Sequence, residues 1–101
     1  MDAYVALGSN LEDPARQVLT GLSALGALPG TRLVANSSLY RTAPVGYRDQ
    51  PDFVNAVAML RTTLEPRALL DALLAIERAR GRVRKFVNAP RTLDLDLLLY
   101  S

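Results

Sequence analysis

Three observations predict an α+β fold for this chain. Short apolar runs of strand length recur along it, two longer stretches repeat leucine and valine at helical spacing, and Gly/Pro punctuation separates them. At 101 residues the chain has room for one domain, expected to span residues 1–101. Ala3 to Leu7 is a buried-type strand, with Gly8-Ser9-Asn10 read as the turn that ends it. Asp13-Pro14 then opens a helix, Asp13 as N-cap and Pro14 in the first turn. Val18, Leu22 and Leu25 form its apolar stripe, which stops at Gly26 or at the Pro29-Gly30 turn. A second strand is expected from Thr31 to about Arg41, with Leu33, Ala35, Ser37 and Leu39 on one face.

Thr42 to Asp52 holds Pro44, Gly46 and Pro51 and reads as a long loop, of the kind more often used for function than for packing. Phe53 to Leu60 alternates as a third strand, and Pro66 opens a second helix carrying Leu69, Leu70, Leu73, Leu74 and Ile76. Gly81 is its expected stop, a basic loop follows, and Leu93 to Tyr100 is the last strand. The order β-α-β-β-α-β predicts a ferredoxin-like sandwich, a four-stranded antiparallel sheet with two helices on one face.

Composition narrows the chemistry. The chain contains no cysteine and no histidine, which excludes disulfides, thiol nucleophiles, histidine bases and the usual zinc sites. Any metal must sit on carboxylates, which selects magnesium, calcium or manganese. No apolar run reaches the length of a membrane span and no signal pattern opens the chain, so a soluble, cytoplasmic domain is expected. Net charge is only +2, yet Arg78, Arg80, Arg82, Arg84, Lys85 and Arg91 follow one another with no acid between them. Such a cluster marks an anion site, a nucleic-acid face or, for Arg78 and Arg80, a helix end complementing its dipole.

Three placements stand out. Asp94 and Asp96 alternate with leucines, so both carboxylates face the same side of a strand, about 6.5–7 Å apart along the backbone. A hard divalent cation would relieve their repulsion; an exposed face wetted by water or paired with arginine is the alternative. Glu77 falls on the apolar side of its helix, where it needs an arginine partner or a ligand. Asn55 and Phe53 share one strand face and together suit a flat heterocycle with donors and acceptors, although a bond from Asn55 to a neighbouring loop is equally compatible with its position.

Several motifs then occur in a fixed order: Ala6-Leu7-Gly8-Ser9-Asn10, Tyr40-Arg41-Thr42, Asp49 to Ala56, Glu77 with Gly81-Arg82-Val83-Arg84, and Pro90 to Asp96. In these the chain resembles the hydroxymethyldihydropterin pyrophosphokinases of folate biosynthesis, as a short form without the usual C-terminal extension. The resemblance implies transfer of diphosphate from ATP to 6-hydroxymethyl-7,8-dihydropterin, with release of AMP. It gives Asp94 and Asp96 two magnesium ions, and Arg82 and Arg91 the phosphates in a closing loop. Glu77, Arg84 and Arg91 would contact the nucleotide, Phe53 and Asn55 the pterin ring, and Thr42 and Val45 the pterin from the loop. The partners expected are pterin and ATP, with neither nucleic acid nor membrane, and a second copy of the chain in a homodimer. A shortened paralogue that binds pterin or nucleotide without transferring phosphate is the alternative.

Overall fold

The computed structural model describes residues 1–11, 13–46, 49–80 and 92–101. Among them are five strands and two helices: β1 (Asp2–Ser9), α1 (Pro14–Gly26), β2 (Thr31–Asn36), β3 (Tyr40–Thr42), β4 (Phe53–Thr62), α2 (Pro66–Ala79) and β5 (Asp94–Tyr100). All strand pairs are antiparallel, in the order β2-β4-β1-β5, with β3 also on β4. The fold is α+β, as expected, but the sheet has five strands rather than four.

The extra strand comes from a break in the stretch expected to run unbroken from Thr31 to Arg41. At Ser37 the side chain enters the ladder: Val57 N–H donates to Ser37 Oγ at 2.9 Å, while Ser37 N–H donates to Val57 O at 2.8 Å. Ser and Asn oxygens that bond locally in this way compete with regular pairing. Regular pairing with β4 therefore stops after Asn36, the chain leaves β4 after Ser37, and it rejoins at Tyr40, opposite Asn55. A register shift between Leu33 and Ala35 also divides the face expected to be shared. Leu33 lies opposite core-facing Leu60 and Ala35 opposite Met59, so the two point to different sides.

Helix α1 begins at Pro14 as read, and Asp13 holds the N-cap position at φ 60° without a side-chain capping bond. Asp is among the few non-glycine residues that tolerate that left-handed conformation. Gly8 and Ser9 are strand rather than turn, because they pair with Asn55 and Val54 of β4, and Gly8 also with Asp94 of β5. Gly81 lies outside the described residues; α2 ends at Ala79.

Strand alternation sorts the core to one side. Ala3, Val5 and Leu7 of β1 face Leu60, Ala58 and Ala56 of β4, and all are buried with Leu95 of β5. Val18, Leu22 and Leu25 of α1 and Leu69 and Leu73 of α2 complete the same cluster. Leu70 and Leu74, placed by the sequence on the apolar stripe of α2, are exposed instead. Both helices thus share one core, and the opposite sheet face carries no helix among the described residues. No helix there is long and apolar enough to cross a membrane.

Candidate active site

Several of the candidate residues gather on that uncovered face. Tyr4, Ala6 and Gly8 of β1 point to it, flanked by Asn55, Val57 and Met59 of β4 and by Asp94 and Asp96 of β5. Gly8 pairs with both Asn55 and Asp94, and Ala6 with Asp96, so the central strand offers its two smallest side chains between amide and carboxylates. A pocket of about 290 Å³ opens there, lined by Ala6, Leu7, Gly8, Thr42, Ala43, Val45, Phe53, Asn55, Asp94 and Asp96. Six residues singled out from sequence therefore meet around one pocket: Thr42, Val45, Phe53, Asn55, Asp94 and Asp96.

The amide of Asn55 is held from behind. Its Nδ2 donates to Thr42 Oγ1 at 2.8 Å, with the Tyr40 and Phe53 carbonyls at 3.4 and 3.5 Å. That is the loop hydrogen bond which competed with a ligand role in the sequence, and it coexists with a place in the pocket wall. It turns Oδ1 over Gly8, where an added Cβ would stand 3.1 Å from that oxygen and 3.8 Å from the Phe53 ring. The lack of a side chain at Gly8 is what leaves the floor open. Sequence reading took Gly8 for a turn residue; its membership of the first motif was the available signal.

A second feature escaped sequence reading. Asn10 is buried, and its Nδ2 donates to Gln50 Oε1 at 2.7 Å and to the Pro51 carbonyl at 3.0 Å. The end of β1 is thereby tied to the segment that leads into Phe53. Val45, in contrast, is 77% exposed at the pocket mouth.

Asp94 is half-buried and Asp96 exposed on the same face. Two carboxylates, with no cluster of three or more ligating side chains among the described residues, suit a hard divalent cation that takes its other ligands from phosphate and water. Glu77 has one partner that the sequence did not suggest. It is 4% exposed at the inner end of α2, and its Oε2 accepts the Leu95 N–H at 2.7 Å. Arg82, Arg84 and Arg91 lie outside the described residues.

An uncovered sheet face with a half-polar pocket and a carboxylate pair is a candidate small-molecule site. The family model described as 7,8-dihydro-6-hydroxymethylpterin-pyrophosphokinase matches residues 4–101. The chain belongs to this family. It is 59% identical over 98 residues to the 2-amino-4-hydroxy-6-hydroxymethyldihydropteridine pyrophosphokinase of Pseudomonas aeruginosa, covering 97% of this chain and 60% of that protein. To the protein of the same name from Haemophilus influenzae it is 53% identical, covering 98% of this chain and 62% of the relative. The folic acid synthesis protein fol1 of Schizosaccharomyces pombe is 42% identical over 99 residues, covering 98% of this chain and 14% of that protein. The chain thus spans about three fifths of the length of the two bacterial relatives.

Proposed function

We propose that this chain transfers diphosphate from ATP to 6-hydroxymethyl-7,8-dihydropterin, releasing AMP, with the pterin in the pocket on the open sheet face. The observation that carries the reading is the meeting of Thr42, Val45, Phe53 and Asn55 with Asp94 and Asp96 around that pocket. Membership of the family supports the same reaction.

Each residue then has a chemical task. Phe53 offers a ring face to the flat heterocycle, and Asn55 Oδ1 accepts from an N–H on its edge. Thr42 fixes the amide by taking the Nδ2 proton. Val45 covers the outer edge of the ring. The hydroxymethyl group points toward Asp94 and Asp96, and its oxygen attacks the β-phosphorus of ATP in line. A new O–Pβ bond forms as the bond from Pβ to the α,β-bridging oxygen breaks, that oxygen leaves on AMP, and the hydroxyl proton passes to solvent. Two magnesium ions on Asp94 and Asp96, when bound, would neutralise charge on the attacking and leaving oxygens. Arg82 and Arg91 take the phosphates and Glu77 and Arg84 the nucleotide by family resemblance.

The sheet order and shared core support the ferredoxin-like assignment, and a cytoplasmic location goes with a folate enzyme. A homodimer would form along β5, the edge strand of the sheet among the described residues, where Leu98 and Leu99 are exposed. Light scattering checks it, and a monomer at high micromolar concentration sinks it.

The reaction itself is tested by a coupled AMP assay. AMP is expected only when magnesium, ATP and the dihydropterin are all present. Calorimetric binding of the pterin without AMP above background would overturn the transfer.

A further inference from the structure

The buried residues of α2 are Leu69, Leu73 and Glu77, four apart along one stripe. The stripe that docks the helix therefore ends in a carboxylate. Burying that group is costly unless it is well hydrogen-bonded. One partner it meets is a backbone donor: Leu95 N–H, 2.7 Å from Oε2, at the length of a charge-assisted bond.

Leu95 gives that bond its meaning. It lies between Asp94 and Asp96, with its side chain in the core and theirs on the open face. Strand β5 pairs with β1 on one side and, among the described residues, ends the sheet on the other. Leu95 is 6% exposed, so without an acceptor on that outer side its N–H would be a buried orphan, costing about 1–3 kcal/mol. Glu77 supplies what a neighbouring strand would otherwise supply. Further along β5, the pairing with β1 shifts register between Tyr4 and Val5, so the segment that carries the two aspartates, Asp94 to Leu97, pairs without a break on its own side of the irregularity.

We infer that Glu77 is a positioning residue for the Asp94–Asp96 pair: it fixes the strand through the backbone of the residue between them and adds negative charge behind them. The inference rests on the proposed metal role of that pair. It differs from a direct nucleotide contact, because it requires metal binding to depend on Glu77 with no nucleotide present.

The test titrates Mn²⁺ alone into the ¹⁵N-labelled full chain and follows paramagnetic broadening of the Ala6, Gly8, Asp94, Leu95 and Asp96 amides. Glu77→Ala is expected to need about ten-fold more Mn²⁺, the scale of a lost hydrogen bond to a charged group. Glu77→Gln keeps an acceptor but not the charge, so its requirement falls between the two, and the Leu95 amide shift stays near wild type in that variant alone. Binding of 6-hydroxymethylpterin, which depends on Thr42, Phe53 and Asn55 on other strands, stays within about two-fold in both variants. General damage to the fold would weaken both ligands together. An unchanged Mn²⁺ midpoint in Glu77→Ala overturns the inference. Absence of local broadening in the wild type overturns instead the metal reading on which it rests. If Glu77→Ala fails to fold, the wild-type Leu95 amide decides with Glu77→Gln: exchange as fast as a solvent-facing edge amide refutes the brace.

Discussion

Replacing Gly8 by alanine is a sharp probe of the pocket floor. The added Cβ would stand 3.1 Å from Asn55 Oδ1, so the amide must give by a few tenths of an ångström. It cannot give without cost, because Nδ2 on its other end is bonded to Thr42 Oγ1 at 2.8 Å. Backbone strain is not involved, since Gly8 lies in a strand with no positive φ. One weakened hydrogen bond is worth about 0.5–1.5 kcal/mol, and the bond proposed between the pterin and Asn55 would be misaligned in the same motion. Affinity for 6-hydroxymethylpterin should therefore fall about ten-fold. Folding stability should change by less than about 1 kcal/mol, because the Asn55–Thr42 bond is exposed and the floor belongs to the open face. Calorimetry of pterin binding beside urea denaturation reads both quantities. Wild-type affinity in a folded Gly8→Ala would show that Oδ1 and the floor do not set the pterin position.

Three further changes have defined outcomes. Asp96→Asn should remove magnesium-dependent AMP formation while the chain stays folded, because the side chain is exposed and the substitution keeps its shape; undiminished AMP formation would count against the metal pair. Gly21→Ala sets helix propensity, worth about 1 kcal/mol in favour, against overpacking of about 1–3 kcal/mol. Its Cβ would sit 2.9 Å from Leu7 Cδ2 and 3.2 Å from Leu93 Cδ2, so urea unfolding should show a net loss, and a stabilised variant would contradict the packing. Asn10→Ala removes both bonds to Gln50 and the Pro51 carbonyl and should cost about 1–3 kcal/mol. Pterin affinity should fall with it, because the freed segment leads into Phe53, and unchanged affinity would separate that tether from the pocket.

Much of this site could be read before any coordinates. Alternation alone puts Asp94 and Asp96 on one face, and Phe53 and Asn55 on one face, whatever the fold does around them. The prolines at 14 and 66 mark both helix starts for a local reason, the fixed φ and missing donor of the ring. What was not legible depends on partners distant in sequence. That Asn55 meets Thr42 follows from β3 pairing with β4, and β3 exists because the Ser37 hydroxyl interrupts the longer strand. That Gly8 is floor rather than turn depends on its register against Asn55 and Asp94. Glu77 was visible as a misplaced charge, but one of its partners is a backbone N–H, which no residue type announces.

The central claim is that the open-face pocket holds the pterin, and amide chemical shifts report on it residue by residue. Titration of the ¹⁵N-labelled chain with 6-hydroxymethylpterin in magnesium should move Gly8, Thr42, Val45, Phe53, Asn55, Asp94 and Asp96 most. Shifts centred instead on the α2 surface around Leu70 and Leu74, or spread evenly without a centre, would contradict it.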